Sequence, residues 1–242
     1  MNQKLIPVLE IFGPTVQGEG MVIGQKTMFV RTAGCDYSCS WCDSSFTWDG
    51  TAKDEIKLMT GEEILKELEI IGRDTFQHVT ISGGNPALLR QLDQFIDLLH
   101  ERGIEVALET QGSRWQDWFL KINDLTLSPK PPSSNMKTDW IVLDGIIEKL
   151  VIHNRKFSLK IVVFDEVDLE YAIHVHQRYP NLVMYLQIGN DDLKETNNER
   201  LLARLLERYE WLVDTVMKSN ELKQVRVLPQ LHAWLWGNKR GV

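Results

Sequence analysis

The sequence predicts an α/β fold, an open or partial barrel of about six βα units, and two observations predict it. Short runs rich in β-branched and apolar residues recur at 27–31, 78–81, 104–109, 124–127, 159–164, 182–187 and 224–228, each short enough to be a buried strand. Stretches with apolar residues at helical spacing lie between them at 60–71, 88–102, 115–121, 167–178 and 198–217. Strand and helix alternating at this interval imply a parallel sheet with right-handed crossovers.

The helix at 60–71 carries the clearest start signal. Thr60 precedes Glu63 by three residues, so the Thr hydroxyl can cap the Glu63 amide while the Glu carboxylate reaches back. The other helices rest on apolar spacing alone. In parallel α/β folds the chemistry gathers at the carboxyl ends of the strands, so the residues just after each strand are the ones to search.

A chain of 242 residues that is 43% hydrophobic can bury one substantial core, and a single domain over 1–242 is expected. Neither repeat nor linker interrupts it, and the Pro/Ser-rich stretch 128–134 reads as one loop. The formal net charge of −7 argues against nucleic acid or a membrane surface as partner, because both select clustered positive charge. A small-molecule partner is expected instead. Without an apolar run of roughly 18 residues, and with Met1-Asn2-Gln3-Lys4 leading into no signal-peptide core, the expected location is the cytoplasm. His174 and His176, two apart on a helix, are read as surface residues.

All three cysteines, Cys35, Cys39 and Cys42, follow the first of these strands with Cys-x3-Cys-x2-Cys spacing. Three cysteines make no disulfide framework, and their clustering asks for a metal. Three thiolates on one loop can hold one corner of an iron–sulfur cube and leave its fourth iron open. A structural zinc site needs a fourth protein ligand, and His78 is the first histidine available to complete one. Trp41 sits between two of the cysteines, where it would line a ligand or simply pack.

The cysteine loop resembles the radical S-adenosylmethionine superfamily. That resemblance implies a partial (β/α)6 barrel, a [4Fe–4S] cluster on Cys35, Cys39 and Cys42, and S-adenosylmethionine on the open iron, cleaved to a 5′-deoxyadenosyl radical. Ser82-Gly83-Gly84-Asn85-Pro86 after the second strand is similar to the superfamily's glycine-rich segment for the methionyl amine, with Asn85 where Glu often stands. Gly83 and Gly84 present backbone without side chains. By their place at strand ends, Glu109 and Thr110 would meet ribose hydroxyls, Ser128, Pro129 and Lys130 the ribose or carboxylate, and Gln187 and Trp41 the adenine.

Two further segments narrow the resemblance. Glu10-Ile11-Phe12-Gly13-Pro14-Thr15-Val16-Gln17-Gly18-Glu19-Gly20 and Phe29-Val30-Arg31-Thr32-Ala33-Gly34-Cys35, with Cys42-Asp43-Ser44 and Ser128-Pro129-Lys130, resemble the 7-carboxy-7-deazaguanine synthase family of 7-deazapurine (queuosine precursor) biosynthesis from residue 10 to about 232. The resemblance implies ring contraction of 6-carboxy-5,6,7,8-tetrahydropterin with loss of ammonia. Gln17, Glu19 and the backbone of Val16 and Gly18 would read the pterin edge, Arg31 would fork onto its carboxylate, and Ser82 would reach it from the second strand. Ser44 stands where the family places a Thr that ligates Mg²⁺, an ion that prefers oxygen. Gln230 and His232 match the closing Gln-x-His segment, so both ends of the chain would cover the substrate. A homodimer and a flavodoxin- or ferredoxin-type electron donor are implied as well. Two rival readings share the cysteine loop: an activase that installs a glycyl radical on a protein partner, and a non-catalytic zinc-binding module.

Overall fold

A computed structural model describes residues 4–242, so the opening Met1-Asn2-Gln3 lies outside the described residues. One sheet runs through the fold in the order β3-β1-β2-β4-β5-β6-β7-β8-β9. Its parallel part is β2 (Lys26–Thr32), β4 (His78–Gly83), β5 (Glu105–Thr110), β6 (Asp124–Leu127), β7 (Phe157–Val163), β8 (Met184–Ile188) and β9 (Val225–Leu228). The predicted strands are these seven. Because β3 and β9 end the order, the barrel stays open.

Two strands went unread in the sequence. β1 (Ile6–Val16) carries Pro7, Gly13 and Pro14, which read as breaks. It tolerates them by pairing antiparallel to β2 with register shifts between Val8 and Glu10 and between Phe12 and Thr15. β3 (Lys57–Met59), three residues long, lies antiparallel on its outer side.

The helices are α1 (Gly61–Gly72), α2 (Leu92–Glu101), α3 (Trp140–Ile152), α4 (Glu166–Arg178), α5 (Asn198–Lys218) and α6 (Leu231–Trp236). The predicted capping box opens α1: Thr60 Oγ1 accepts from Glu63 N at 3.2 Å, and Glu63 Oε2 accepts from Thr60 N at 2.7 Å. The stretch expected as a helix at 115–121 is a 3-10 turn, Asp117–Lys121. α3 was hidden because it is apolar on nearly every side and carries Gly145 at its middle; Asp139 starts it, its side chain accepting from Ile141 N and Val142 N. His174 is exposed as expected, but His176 is buried against the sheet side of α4.

The strands place their side chains with period two. Met28 and Val30, Val79 and Ile81, Val106 and Leu108, Leu125 and Leu127, Leu159, Ile161 and Val163, and Met184, Leu186 and Ile188 all belong to one hydrophobic cluster under the helices. The alternate residues face the inside of the barrel, and many are polar: Thr27, His78, Thr80, Thr126, Ser158, Lys160 and Gln187 are buried there. An inner face of this kind is a cost to the fold unless each group finds a partner.

Candidate active site

The cysteine loop leaves the carboxyl end of β2 and is fixed from three sides. Gly34 N bonds Thr47 O at 2.8 Å, and Asn85 N bonds Gly34 O at 2.8 Å. Asp36 accepts from Asn85 Nδ2 at 2.8 Å, Gln111 Nε2 at 2.6 Å and Ser113 Oγ at 2.7 Å, which ties the loop to the ends of β4 and β5. The Pro/Ser-rich loop holds the other flank: Ser40 N bonds Ser134 O at 3.1 Å, Trp41 Nε1 bonds Ser133 Oγ at 2.9 Å, and Tyr37 OH bonds Lys137 O at 2.9 Å. Trp41 therefore stands upright against Phe164, ring centroids 5.0 Å apart, with Lys130 Nζ 5.8 Å over its ring.

The packing beneath the loop itself demands Gly83 and Gly84. A Cβ on Gly83 would lie 2.1 Å from Thr32 O, and one on Gly84 would lie 2.1 Å from Gly34 O. Only side-chain-free residues let β4 cross this close beneath the loop.

The three thiols are free and partly buried. Burial pushes the Cys39 thiol up to about 11, opposed by Lys130 and assisted by the other two cysteines, and burial raises Cys35 and Cys42 as well. Such a loop needs a cationic metal to become thiolate. The sulfurs are not gathered within 4.8 Å of one another, whereas thiolates around one zinc would be about 3.8 Å apart given Zn–S bonds near 2.3 Å. His78 does not complete a zinc site. It opens β4, six residues and about 20 Å of strand from Gly84, and its Nδ1 is bonded to Thr27 Oγ1 at 2.8 Å. Three cysteine ligands on one loop fit an iron–sulfur cube with one iron left open.

Across the cavity stands the turn that holds Gln17, Gly18, Glu19 and Gly20. Gln17 is buried, its backbone N–H donating to Gln25 O at 2.8 Å. The chain's last segment closes on this turn: Leu231 N bonds Gly18 O at 3.0 Å, Gln230 Nε2 bonds Glu19 Oε1 at 2.8 Å, and a Cβ on Gly18 would lie 2.4 Å from His232 Nδ1. Glu19 also pairs with Lys160, the fully buried ammonium of β7, which in turn pairs with Glu109 of β5. Burial works to raise the Glu19 carboxyl, yet Lys160, His232 and the bond from Gln230 together hold it far below the usual carboxylate range. Burial alone would lower Lys160, but Glu109 and Glu19 hold it above the usual ammonium range.

Arg31 lines the cavity wall with Phe12 and Phe46, its guanidinium carbon 5.5 Å from each ring centroid. Part of its fork is taken: Nε lies 2.6 Å from Glu10 Oε1, and Nη1 donates to Ser44 Oγ at 2.7 Å. Ser44 donates in turn to Asp43 Oδ1 at 3.1 Å. Glu10 receives a second cation from the tail, Arg240 Nε at 2.9 Å, while Arg240 rests 4.1 Å over Phe46.

These groups surround one cavity of about 450 Å³, lined by the three cysteines, Trp41, Arg31, Ser44, Ser82, Gly83, Gly84, Glu109, Thr110, Lys130, Gln230, His232 and the stretch 16–19. Residues read from far apart in the sequence thus meet in one place. Ser82 Oγ and Gln230 Oε1 are buried on this wall without a protein partner. Three predicted residues lie behind the wall. Gln187 sits under the N-terminal turn, its Oε1 accepting from Gly20 N at 3.4 Å; Ser128 is buried and accepts from Lys130 Nζ at 3.1 Å; buried Pro129 does not line the cavity. The hydroxyl of Thr110 is likewise spent, donating to Asn85 Oδ1 at 2.7 Å. The sequence reading missed Lys160, Asp36 and Gln111. A lone Lys in the apolar run Leu159-Lys160-Ile161-Val162-Val163 was the available signal for the first; nothing local marked the other two.

The Radical SAM superfamily model matches residues 29–128, which run from within β2 through β6 and include the cysteine loop. In the solved structures, the crystal structure of QueE from Escherichia coli superposes with a TM-score of 0.70 at 24% identity, over 94% of this chain and 95% of that one, a likeness of fold. The 7-carboxy-7-deazaguanine synthase of Bacillus cereus (strain ATCC 14579) is 60% identical over 237 residues, 98% of this chain and 99% of its own. That of Bacillus subtilis (strain 168) is 65% identical over 241 residues, 99% of each. Identity at that level from end to end, over a fold that assembles the cysteine loop and the Gln-Gly-Glu-Gly turn around one cavity, places the chain in the 7-carboxy-7-deazaguanine synthase family.

Proposed function

We propose that this cavity is where the chain carries out its family's reaction, the ring contraction of 6-carboxy-5,6,7,8-tetrahydropterin to 7-carboxy-7-deazaguanine with release of ammonia, and that the residues around it divide the work as follows. Cys35, Cys39 and Cys42 would hold the [4Fe–4S] cluster, which with S-adenosylmethionine supplies the 5′-deoxyadenosyl radical that takes hydrogen from C6 of the pterin. The backbone of Gly83 and Gly84 and the side chains of Glu109, Lys130 and Trp41 would orient the adenosyl cofactor. Gln17, Glu19 and the backbone of the turn would read the amide and amine edge of the pterin, whose donor groups suit the Glu19 carboxylate and the Gln17 carbonyl oxygen. The part of the Arg31 fork not spent on Glu10 and Ser44 would take the pterin carboxylate. Ser44, with the Asp43 carboxylate beside it, would offer oxygens to Mg²⁺. Gln230 and His232 would shield the substrate from water.

The carrying observation is that the cysteine loop and the Gln17-Gly18-Glu19-Gly20 turn line one cavity. No described helix is long and apolar enough to cross a membrane; the further reading is a cytoplasmic homodimer served by a flavodoxin- or ferredoxin-type donor. The test is anaerobic turnover of the carboxytetrahydropterin by wild type and Arg31→Ala. The variant is expected to keep its cluster and to cleave S-adenosylmethionine without coupling, with pterin binding weakened at least tenfold. Wild-type pterin affinity in Arg31→Ala would remove it from the carboxylate site, and absence of 7-carboxy-7-deazaguanine from the wild-type reaction would overturn the assignment.

A further inference from the structure

We propose that Lys160 is the positioning residue shared by the two ligands: its ammonium fixes Glu19 on the pterin side and Glu109 on the cofactor side in one arrangement. The proposal rests on the reading of the cavity given above.

Lys160 lies in the middle of β7, where Leu159, Ile161 and Val163 turn to the helices and Lys160 and Val162 turn to the cavity. Its side chain is 2% exposed. A buried ion cluster is no requirement of a core, since well-packed apolar residues of similar volume serve stability as well or better, whereas removing one partner alone is costly. Here the partners come from separate elements. Glu19 belongs to the N-terminal turn, 141 residues away in sequence, and Glu109 to the end of β5. An ammonium has three donors and no acceptor, so a single nitrogen can hold both carboxylates at once. Gln230 Nε2 grips the other oxygen of Glu19 at 2.8 Å, so the direction in which Glu19 presents its remaining lone pairs is decided by Lys160 and Gln230 together.

The remaining charged or titratable groups facing Glu19 are His232, 4.0 Å from Oε1, and Asp43, whose carboxylate lies with the other two inside a 4.8 Å circle. Lys160 is thus the cation that lets Glu19 and Glu109 stand near one another. Without it the carboxylates repel, and Glu19 rotates or takes a proton; either change removes the acceptor pattern that the pterin edge needs. An Arg at this position would keep the charge with different reach, a Met would keep only the volume.

The experiment uses cluster-loaded, S-adenosylmethionine-bound protein and titrates 7-carboxy-7-deazaguanine by calorimetry, with iron content and circular dichroism measured alongside. Lys160→Met is expected to keep its iron and its secondary structure and to bind the probe at least tenfold more weakly; Lys160→Arg is expected to recover part of the loss. Because Lys160 acts through Glu19, the double variant Glu19→Gln/Lys160→Met is expected to lose no more than Glu19→Gln alone, where a merely structural role would give additive losses. If Lys160→Met does not fold, Glu109→Gln/Lys160→Met, which also removes the like-charge pair, carries the same comparison. Wild-type affinity in the folded variant, or additive losses, overturns the proposal while leaving the cavity's function intact. Failure of the wild type itself to bind the probe overturns the reading of the cavity, and this proposal with it.

Discussion

Gly84→Ala tests whether the close crossing beneath the cysteine loop is what makes the cluster site. The added Cβ would lie 2.1 Å from Gly34 O, 2.5 Å from Gly34 C and 3.0 Å from Cys35 Cβ. Ordinary contact begins near 3.4 Å, so the loop backbone must retreat by more than about 1 Å, and no side-chain rotation relieves it. The retreat strains the Asn85 N to Gly34 O bond, worth about 1 kcal/mol, and overpacking of this kind adds about 1–3 kcal/mol. Together, roughly 2–4 kcal/mol is a 30- to 700-fold loss in the population of the docked loop. Anaerobic reconstitution followed by iron and sulfide analysis, and by 5′-deoxyadenosine release, reads the outcome. Gly145→Ala is the matched control: a Cβ there meets nothing within 4 Å, so it leaves the cluster alone and stabilises α3 by up to about 1 kcal/mol. A Gly84→Ala protein with full four-iron loading and wild-type cofactor cleavage would refute the reasoning.

Two pH effects follow. Because burial raises the thiols, Cys39 to about 11, the cluster-free protein is expected to react with iodoacetamide at pH 8 more slowly than a free cysteine. The rate at Cys39, followed by peptide mapping, should climb about tenfold per pH unit until near 11, and a rate matching free cysteine would contradict the burial argument. His78 is held below its ordinary value of 6.5 by burial, against the pull of Asp124 and Glu105. The unfolded chain therefore binds the extra proton, and the neutral-His contribution to stability is present above about 6.5 and lost as pH falls through it. The urea midpoint should drop from pH 7 to pH 5, less steeply in His78→Asn; equal slopes would show that His78 does not titrate on unfolding.

What the sequence made legible, and what it hid, divides along a physical line. The seven parallel strands and the capped helix α1 could be read because their signals are local: β-branched runs, and a Thr60–Glu63 pair three residues apart. β1 could not, since Pro7 and the Gly13-Pro14 step forbid a regular strand and only the bulged pairing with β2 accommodates them. Within the site, the cysteine loop was legible for the same local reason. Asp36 and Gln111 were not, because their importance lies in a contact made 75 residues apart. For Gly83 and Gly84 the sequence offered no sign of a second demand, that their backbone pass close against Thr32 and Gly34.

Lys160 marks where period-two reading would have gone further than a search for apolar runs. Reading β4 to β8 as alternating rows places His78, Thr80, Ser82, Glu109, Thr126, Ser158, Lys160 and Gln187 on the face opposite the hydrophobic cluster. A closed apolar barrel would fill that face with Val and Leu. Polar residues there are affordable only if they bond one another or a ligand, and the two kinds sort by position. Toward the amino ends of the strands Thr27, Thr80 and His78 Nδ1 bond one another, though His78 Nε2 finds no partner, while toward the carboxyl ends Ser82 and Gln230 are left with unpaired oxygens and Lys160 pairs with two carboxylates from distant elements. The side chains that line the cavity thus come mainly from toward the carboxyl ends of the strands, the end at which parallel α/β folds place their chemistry.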